Sequence, residues 1–439
     1  MTSENINKTL DLVRFIENSP TAFHAVAEIS KILDESGFTC LSEGEEWDLE
    51  AGGKYYVTRN LSSIIAFALP ENYAHSFMIT ASHTDSPTYK LKSEYEVEAF
   101  GKYIKLNTEG YGGMIASTWL DRPLSIAGRV IVSDNGRIKT KLTKIDRDLV
   151  LIPNVAIHQN RSVNSGYTFN PAVDMMPLYS SKQNKGSLAR IIAEDVGCGE
   201  ESIVSADLYL YNRTPASIWG ADNEFFSSPR IDNLQCAYAT LCGFVDATES
   251  GEYRSIPVYS SFDNEETGSA TKQGAASGFL SDVLSRIANI CNFELPRALT
   301  SSFMVSADNG HAKHPNHPEL SDSVNSPHLN EGVVIKSNAS QKYTTDAVSS
   351  AIFKTICKNA DVPVQVFANR SDMPGGSTLG SISDTRVSLN TVDIGLAQLA
   401  MHSSYETAGT ADTLYMIRAI REFYKTTIKC DSDGTYSVQ

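Results

Sequence analysis

The alternation of strand-type and helix-type segments in the second half of the chain constrains the fold most strongly. Short apolar runs of strand type lie at residues 256–262, 302–306, 332–335, 362–368 and 386–392. Segments with apolar positions at helical spacing lie between or around them, at residues 233–248, 279–290, 345–359 and 410–427. Such alternation is typical of a largely parallel sheet with helices on both faces. The sequence therefore predicts an α/β fold of three layers, α/β/α.

A stretch of different character interrupts this pattern. Residues 91–222 contain strand-like pieces at 102–107, 125–132, 149–157 and 208–211, and within them only residues 187–194 look helical. Before this stretch, residues 6–36 predict two helices and residues 53–82 predict three short strands. The simplest arrangement is one discontinuous α/β domain, residues 1–90 and 223–439, split by a β-rich insertion of residues 91–222.

Charge and cysteine usage narrow the classes of partner and compartment. The 439 residues include 37 Lys and Arg against 52 Asp and Glu, a formal net charge of -15, with no basic run. This predicts no nucleic-acid partner and no binding to an anionic membrane. The seven cysteines are scattered without a C-x-x-C pair, there is no signal-peptide pattern, and no apolar run is long enough to span a bilayer. Together these features predict a cytoplasmic protein.

Side chains of metal-binding type recur after the strand-type runs. Singly, each has an ordinary structural explanation, such as a helix N-cap for Asp232 or a turn residue for Asp308. Ligand sites in open α/β sheets, however, gather at the carboxyl ends of strands, so the set as a whole predicts a metal site. Its members are His83, Asp85, Asp232, Glu265, Glu266, Asp308 and His402.

This mixture of imidazoles and carboxylates indicates the chemistry of the site. Such ligands suit zinc, manganese or cobalt, and one carboxylate can bridge two metal ions. Asp85, two residues after His83, can orient the imidazole, and of Glu265 and Glu266 one can ligate while the other acts as general base. The H-E-x-x-H, G-x-S-x-G and P-loop motifs are absent.

Several motifs, taken in order, resemble the aspartyl aminopeptidase / aminopeptidase I family. They are ASHTDSP (81–87), STWLDRPL (117–124), AIH (156–158), DN (232–233), DNEETGS (263–269) and LAMHS (399–403). The resemblance implies a di-metal aminopeptidase fold, with the insertion serving as a dimerisation domain. It also implies a homo-oligomer, a dodecamer built from dimers.

The resemblance further assigns roles to the candidate site residues. It implies one zinc ion held by His83 and Asp308, and a second held by Glu266 and His402. Asp232 would bridge both ions, and Glu265 would be the general base.

Three further residues enter through the same resemblance. His158, on the insertion, would reach into a neighbouring subunit's active site to hold substrate, or would be a third histidine ligand of zinc on the competing interpretation. Lys336 would pair with an acidic P1 side chain, and Tyr343 would donate to the oxyanion.

The sequence thus predicts a zinc metalloaminopeptidase that removes N-terminal residues from peptides and favours acidic (Asp/Glu) N-termini. Three alternatives stay open at this point: a preference for neutral residues such as Leu, a related di-zinc carboxypeptidase or deacylase, and a non-catalytic oligomeric shell protein. Manganese or cobalt in place of zinc also stays open.

Overall fold

A computed structural model describes residues 1–376 and 378–439 of the chain. Its helices are α1 (Ser3–Asn18), α2 (Ala22–Glu35), α3 (Pro171–Asp174), α4 (Ser187–Val196), α5 (Ile231–Ser250), α6 (Phe279–Ile290), α7 (Leu295–Leu299), α8 (Ala347–Asn359), α9 (Leu379–Ser383) and α10 (Asp412–Lys425).

The strands of the first half of the chain are β1 (Thr39–Leu41), β2 (Lys54–Arg59), β3 (Ser63–Ala68), β4 (Phe77–His83), β5 (Thr88–Ala99), β6 (Tyr103–Tyr111), β7 (Leu124–Asp134), β8 (Arg137–Lys144), β9 (Leu178–Ser181), β10 (Ile203–Asn212) and β11 (Ser217–Trp219). Those of the second half are β12 (Phe225–Ser228), β13 (Ile256–Phe262), β14 (Phe303–Ala307), β15 (Gly310–His311), β16 (Val333–Lys336), β17 (Val364–Phe367), β18 (Asn390–Gly395), β19 (Ala397–Leu399), β20 (Glu406–Gly409), β21 (Ile428–Ser432) and β22 (Thr435–Val438).

The largest sheet has nine strands in the order β1-β2-β3-β13-β4-β14-β18-β16-β17. Its centre is parallel, since β13, β4, β14 and β18 pair in the same direction. Side chains of a strand alternate between the two faces of a sheet. On β4, accordingly, Met78 joins the core under α1, α2, α5, α8 and α10, while Phe77 and Ile79 join the core under α6, α7 and α9. The predicted three-layer α/β/α fold is confirmed.

A second sheet of six antiparallel strands, β8-β7-β10-β5-β6-β9, is built from chain between Thr88 and Asn212. It has its own core, in which Leu188 and Ile192 of α4 pack with strand residues such as Ile126 and Leu208. The chain leaves the nine-stranded sheet after β4 to form this second sheet and returns to it at β13. The limits 91–222, and a dimerisation role for this segment, stay predictions.

Local differences from the sequence-based expectations have physical causes. The predicted strand over residues 149–157 is an irregular segment that carries only isolated β-bridges, at Val150, Leu151 and Ile152. Pro153 follows them directly, and a proline has no N–H to continue a ladder. Helix α8 begins at Ala347, because Asp346 caps it by accepting from the Ser349 N–H.

A third sheet has five strands in the order β11-β12-β20-β19-β15, and its strand β15 begins three residues after the parallel strand β14 ends. Among the described helices, none is both long and apolar enough to cross a membrane.

Candidate active site

Three adjacent parallel strands bring the first group of predicted residues to one edge of the large sheet. Strand β4 ends at His83, paired opposite Phe262, the last residue of β13. The chain after β13 turns into a 3₁₀ turn that starts with Glu265 and Glu266. On the other side of β4, β14 ends one residue before Asp308. The carboxyl ends of parallel neighbours meet at one edge, which explains this convergence.

Two more residues reach this edge from other elements. His402 follows β19 of the five-stranded sheet, and Asp232 lies at the start of α5. The backbone of Asp232 is extended (φ -79°, ψ 112°) rather than helical. No described donor bonds to its buried Oδ1 atom. Asp232 is therefore not the ordinary helix cap that its position suggests, because its carboxylate faces the cluster.

The ligand-type atoms form two sets that share Asp232. In the first set, Nε2 of His83 lies 3.4 Å from Oδ1 of Asp308 and 3.6 Å from Oδ1 of Asp232. In the second set, Nε2 of His402 lies 3.4 Å from Oδ2 of Asp232 and 3.5 Å from Oε2 of Glu266. Each carboxylate oxygen of Asp232 thus faces a different histidine.

These separations fit divalent metal ions. Two ligand atoms bound to one zinc ion at about 2.1 Å, at a tetrahedral angle, lie about 3.4 Å apart. His83, Asp232 and Glu266 together offer ligand atoms within 4.8 Å of one another. Buried carboxylates repel one another unless cations neutralise them, and an Asp232 oxygen without a donor is well suited to a metal ion. The residues present therefore fit a zinc site.

Burial and the charges of the site shift the pKa values of its carboxyl groups in both directions. Burial, together with Asp232, raises the pKa of Glu266 well above its usual value. Burial also raises the pKa of Glu265 to about 8, against the opposing charge of His83 and with smaller contributions from Asp308, Asp85 and Asp232. Burial works in the same direction on Asp308, but Lys336 and His83 hold the pKa of that carboxyl below its usual range.

Asp85 contacts both His83 and the turn that carries Glu265 and Glu266. Its backbone carbonyl lies 3.1 Å and its Oδ1 atom 3.3 Å from Nδ1 of His83, on the ring edge opposite the cluster. The same carboxylate accepts the backbone N–H groups of Glu265 and Glu266, each at 3.2 Å, and the hydroxyl of Tyr111 at 2.7 Å. This placement fits the predicted orienting role, since a carboxylate on the far nitrogen fixes the tautomer and angle of a ligating imidazole.

A cavity with an empty volume of about 680 Å³, partly open to solvent, lies over the cluster. Lys336 lines it from β16 and is 2% exposed. Its Nζ atom donates to the Asn309 carbonyl at 2.8 Å and lies 3.6 Å from Oδ2 of Asp308. Tyr343 lines the same cavity, with its ring centroid 5.6 Å from that ammonium. The structure thus brings both predicted substrate-contacting residues to the cluster.

His158 is the predicted residue that the structure does not bring to this cluster. It lies exposed in the turn that follows the irregular segment of residues 149–157. It is not among the described residues that line the cavity of its own chain. Because the prediction concerns a neighbouring subunit, it stays a prediction.

Sequence reasoning missed Glu406, which holds two of the ligand-bearing segments. This side chain is 2% exposed, and its Oε2 atom accepts the backbone N–H of Asp232 at 3.0 Å while Oε1 accepts that of His402 at 2.7 Å. Burial and the nearby Asp232 raise the pKa of Glu406 to about 8. The one available signal was an acidic residue inside a short strand, four positions after His402.

Fold and site together define a metal-dependent hydrolase with its centre at the carboxyl edge of a parallel sheet. Residues 15–424 match the family of the aminopeptidase I zinc metalloproteases (M18). The chain is 46% identical to a probable M18 family aminopeptidase 2 of Clostridium acetobutylicum, over 94% of this chain and 97% of that one. It is 36% identical to an aspartyl aminopeptidase of Dictyostelium discoideum, over 96% of this chain and 97% of the relative. The S. cerevisiae mApe1 dodecamer superposes with a TM-score of 0.85, at 26% identity over 97% of both chains.

The chain belongs to the M18 aminopeptidase family. It is a zinc aminopeptidase, which confirms the main prediction over the carboxypeptidase, the deacylase and the non-catalytic shell.

Proposed function

We propose that the enzyme uses two zinc ions, held by the five residues of the cluster, to remove acidic residues from the N-termini of peptides. The observation that carries this proposal is the pair of ligand sets sharing Asp232. His83 and Asp308 would hold one ion, Glu266 and His402 the other, and Asp232 both. Manganese or cobalt suits the same ligand types, so metal analysis of the purified protein decides among them.

Bound there, the ions would supply Lewis acidity for the scissile carbonyl and lower the pKa of an attacking water. The charge of metal ions bound beside Glu265 would lower its raised pKa and keep the carboxylate ionised, so Glu265 would take the proton of that water and deliver it to the leaving amine. Its carboxylate is placed for this, because its Oε2 atom lies 4.0 Å from Nε2 of His83 and the side chain lines the cavity. Asp85 would keep His83 in the ligating orientation throughout. Tyr343 would donate to the developing oxyanion.

Replacement of the proposed base tests this assignment. We expect Glu265→Gln to lower kcat by at least about a hundredfold, the usual scale of general base catalysis, with zinc content unchanged. Elemental analysis of the metal and turnover of an aminoacyl reporter measure the two effects. A variant that keeps both zinc and activity would refute the role of Glu265.

The acidic preference is proposed from Lys336. An ammonium has three donors, and among the described residues only the Asn309 carbonyl accepts a short bond from it, so a donor is left for a carboxylate in the cavity. The D. discoideum relative named an aspartyl aminopeptidase supports the same preference. A preference for neutral residues such as Leu is the competing specificity.

We also propose that the chain assembles into a homo-oligomer, a dodecamer built from dimers; the dodecameric state of the related mApe1 supports this. The segment of residues 91–222 would be the dimerisation domain. Exposed apolar side chains on it support this, among them Val155 and Ile157 beside His158 and the 95% exposed Phe100. In such a dimer, His158 would enter the partner's active site and hold substrate there.

A cytoplasmic location is part of the same proposal. All seven cysteines are free thiols, and Cys40 is exposed, which suits a reducing compartment. Cell fractionation against compartment markers tests the location directly.

A further inference from the structure

We propose that Tyr111 is a positioning residue of the metal centre, through which the six-stranded sheet fixes the orientation of His83, Glu265 and Glu266. This inference rests on the proposed function, because it assumes that zinc binds at the cluster.

Tyr111 is the last residue of β6, and its hydroxyl lies between two loops that follow strands of the large sheet. It donates to Oδ2 of Asp85 at 2.7 Å and accepts from Nδ2 of Asn264 at 2.8 Å. The direction of these bonds is determined, because Oδ1 of Asn264 already accepts from Thr271 and Gln273. The hydroxyl proton of Tyr111 therefore points at Asp85.

Asp85 connects the Tyr111 hydroxyl to the residues of the metal centre. Its Oδ1 atom faces Nδ1 of His83 at 3.3 Å, and its two oxygens accept the N–H groups of Glu265 and Glu266. Without the Tyr111 donor, Oδ2 of Asp85 loses its 2.7 Å hydrogen bond and keeps the longer 3.2 Å bond from the Glu266 N–H. The carboxylate that contacts both His83 and the 3₁₀ turn is then held less firmly. Tyr111 is not among the described residues that line the substrate cavity, so its effect on substrate is indirect.

The ring of Tyr111 is held independently of its hydroxyl. It packs edge-on against Tyr209 of β10, with ring centroids 5.7 Å apart at 81°. Burial, and then the charges of Asp85 and Asp263, raise the pKa of the Tyr111 phenol, so the hydroxyl stays protonated and remains a donor. Tyr111→Phe should therefore remove one hydrogen bond and leave the packing intact.

The test compares Tyr111→Phe with Tyr209→Phe in the full-length protein. Tyr209 belongs to the same sheet and packs on Tyr111, but no described hydrogen bond joins its hydroxyl to Asp85. Outer partners of metal ligands typically contribute 10–100-fold to metal affinity. We therefore expect the zinc dissociation constant of Tyr111→Phe to be about ten times larger than that of the wild type. A chromogenic chelator in competition measures it. We expect kcat to fall with KM unchanged, and Tyr209→Phe to match the wild type.

A double-mutant cycle with Asp85→Asn separates positioning from a general loss of structure. If Tyr111 acts through Asp85, the double variant should bind zinc no more weakly than Asp85→Asn alone. Additive losses, or wild-type zinc affinity in Tyr111→Phe, would overturn the inference. Failure of the wild-type chain to bind zinc would instead count against the proposed function.

Discussion

The environment of Lys336 could not be predicted from the sequence around it. A lysine on a short strand is ordinarily solvated, yet this one is 2% exposed beside Asp308. Burial alone would lower the pKa of its ammonium, but Asp308, Tyr343 and Asp393 together raise that pKa, so the group stays charged. A buried, permanently charged donor at the wall of a substrate cavity is suited to select a substrate carboxylate.

We expect Lys336→Met to remove the preference for acidic residues. The variant keeps most of the aliphatic volume and loses the charge, which should reduce the ratio of kcat/KM for Asp over Leu reporters about ten- to a hundredfold, the range of a charge-assisted hydrogen bond. Lys342→Met is the control, because Lys342 is exposed and its ammonium donates, within the part of the chain that the structure describes, to the Gly375 carbonyl alone. An unchanged ratio in Lys336→Met would exclude Lys336 as the determinant of specificity.

The residues of the site differ in how visible they are in the sequence. The seven predicted residues all lie at or beside the cluster. Six of them end or follow a strand and so have a regular relation to its last residue, whereas Asp232 comes from the start of α5. Glu406 and Tyr111 were not identified. Glu406 acts on backbone N–H groups, and Tyr111 meets Asp85 only after a second sheet is built, so neither leaves a local pattern.

At the scale of elements, the segment that follows β6 brings the six-stranded sheet into contact with two residues of the metal centre, Glu266 and His402. Gly112 has φ +74°, and a Cβ atom placed there would lie 3.0 Å from Cβ of Glu266. Three residues later, the N–H of Ile115 donates to the carbonyl of His402 at 3.0 Å. This glycine is therefore required both by its left-handed backbone and by the space that Glu266 occupies.

Gly112→Ala should accordingly perturb the metal centre. Gly136→Ala is a matched control, since Gly136 has φ +78° with no atom within 4 Å of a Cβ built on it. Both variants carry the strain of a left-handed alanine, about 1 kcal/mol or more, and should lower the Tm similarly. Only Gly112→Ala should also weaken zinc binding and kcat. Equal zinc affinity in the two variants would show that the contact with Glu266 does not matter.

Elements were predicted from the sequence where periodicity is long and local. The helices of residues 279–290 and 345–359 correspond to α6 and α8 within two residues, because each carries an apolar face over several turns. The five-stranded sheet was not predicted as a unit. Its strands are two to four residues long and come from distant parts of the chain, so no window of sequence contains its pattern.

At the scale of the whole molecule, the motif order indicated a chain that leaves the large sheet after His83 and returns before Asp232. The contacts of the six-stranded sheet with the rest of the chain could not be predicted in that way. Lys144 of β8 donates to the Glu17 carbonyl, Arg129 of β7 donates to the Asn60 carbonyl, and the Arg129 guanidinium stacks 4.3 Å from the Phe23 ring. Backbone carbonyls are available in every sequence, so such pairings have no sequence signature.

Mixed assemblies should test whether His158 completes a neighbouring site. Glu265→Gln and His158→Ala chains should each be nearly inactive alone, the first without its base and the second without the partner's histidine. In a mixed dimer, the His158→Ala chain keeps Glu265 and receives His158 from its partner. Refolding the two chains together in equal amounts should therefore restore about a quarter of wild-type activity, since half of the randomly formed dimers are mixed and each has one complete site of two. Sedimentation of the mixture checks assembly. An active His158→Ala chain by itself, or an assembled mixture without activity, would contradict action across the interface.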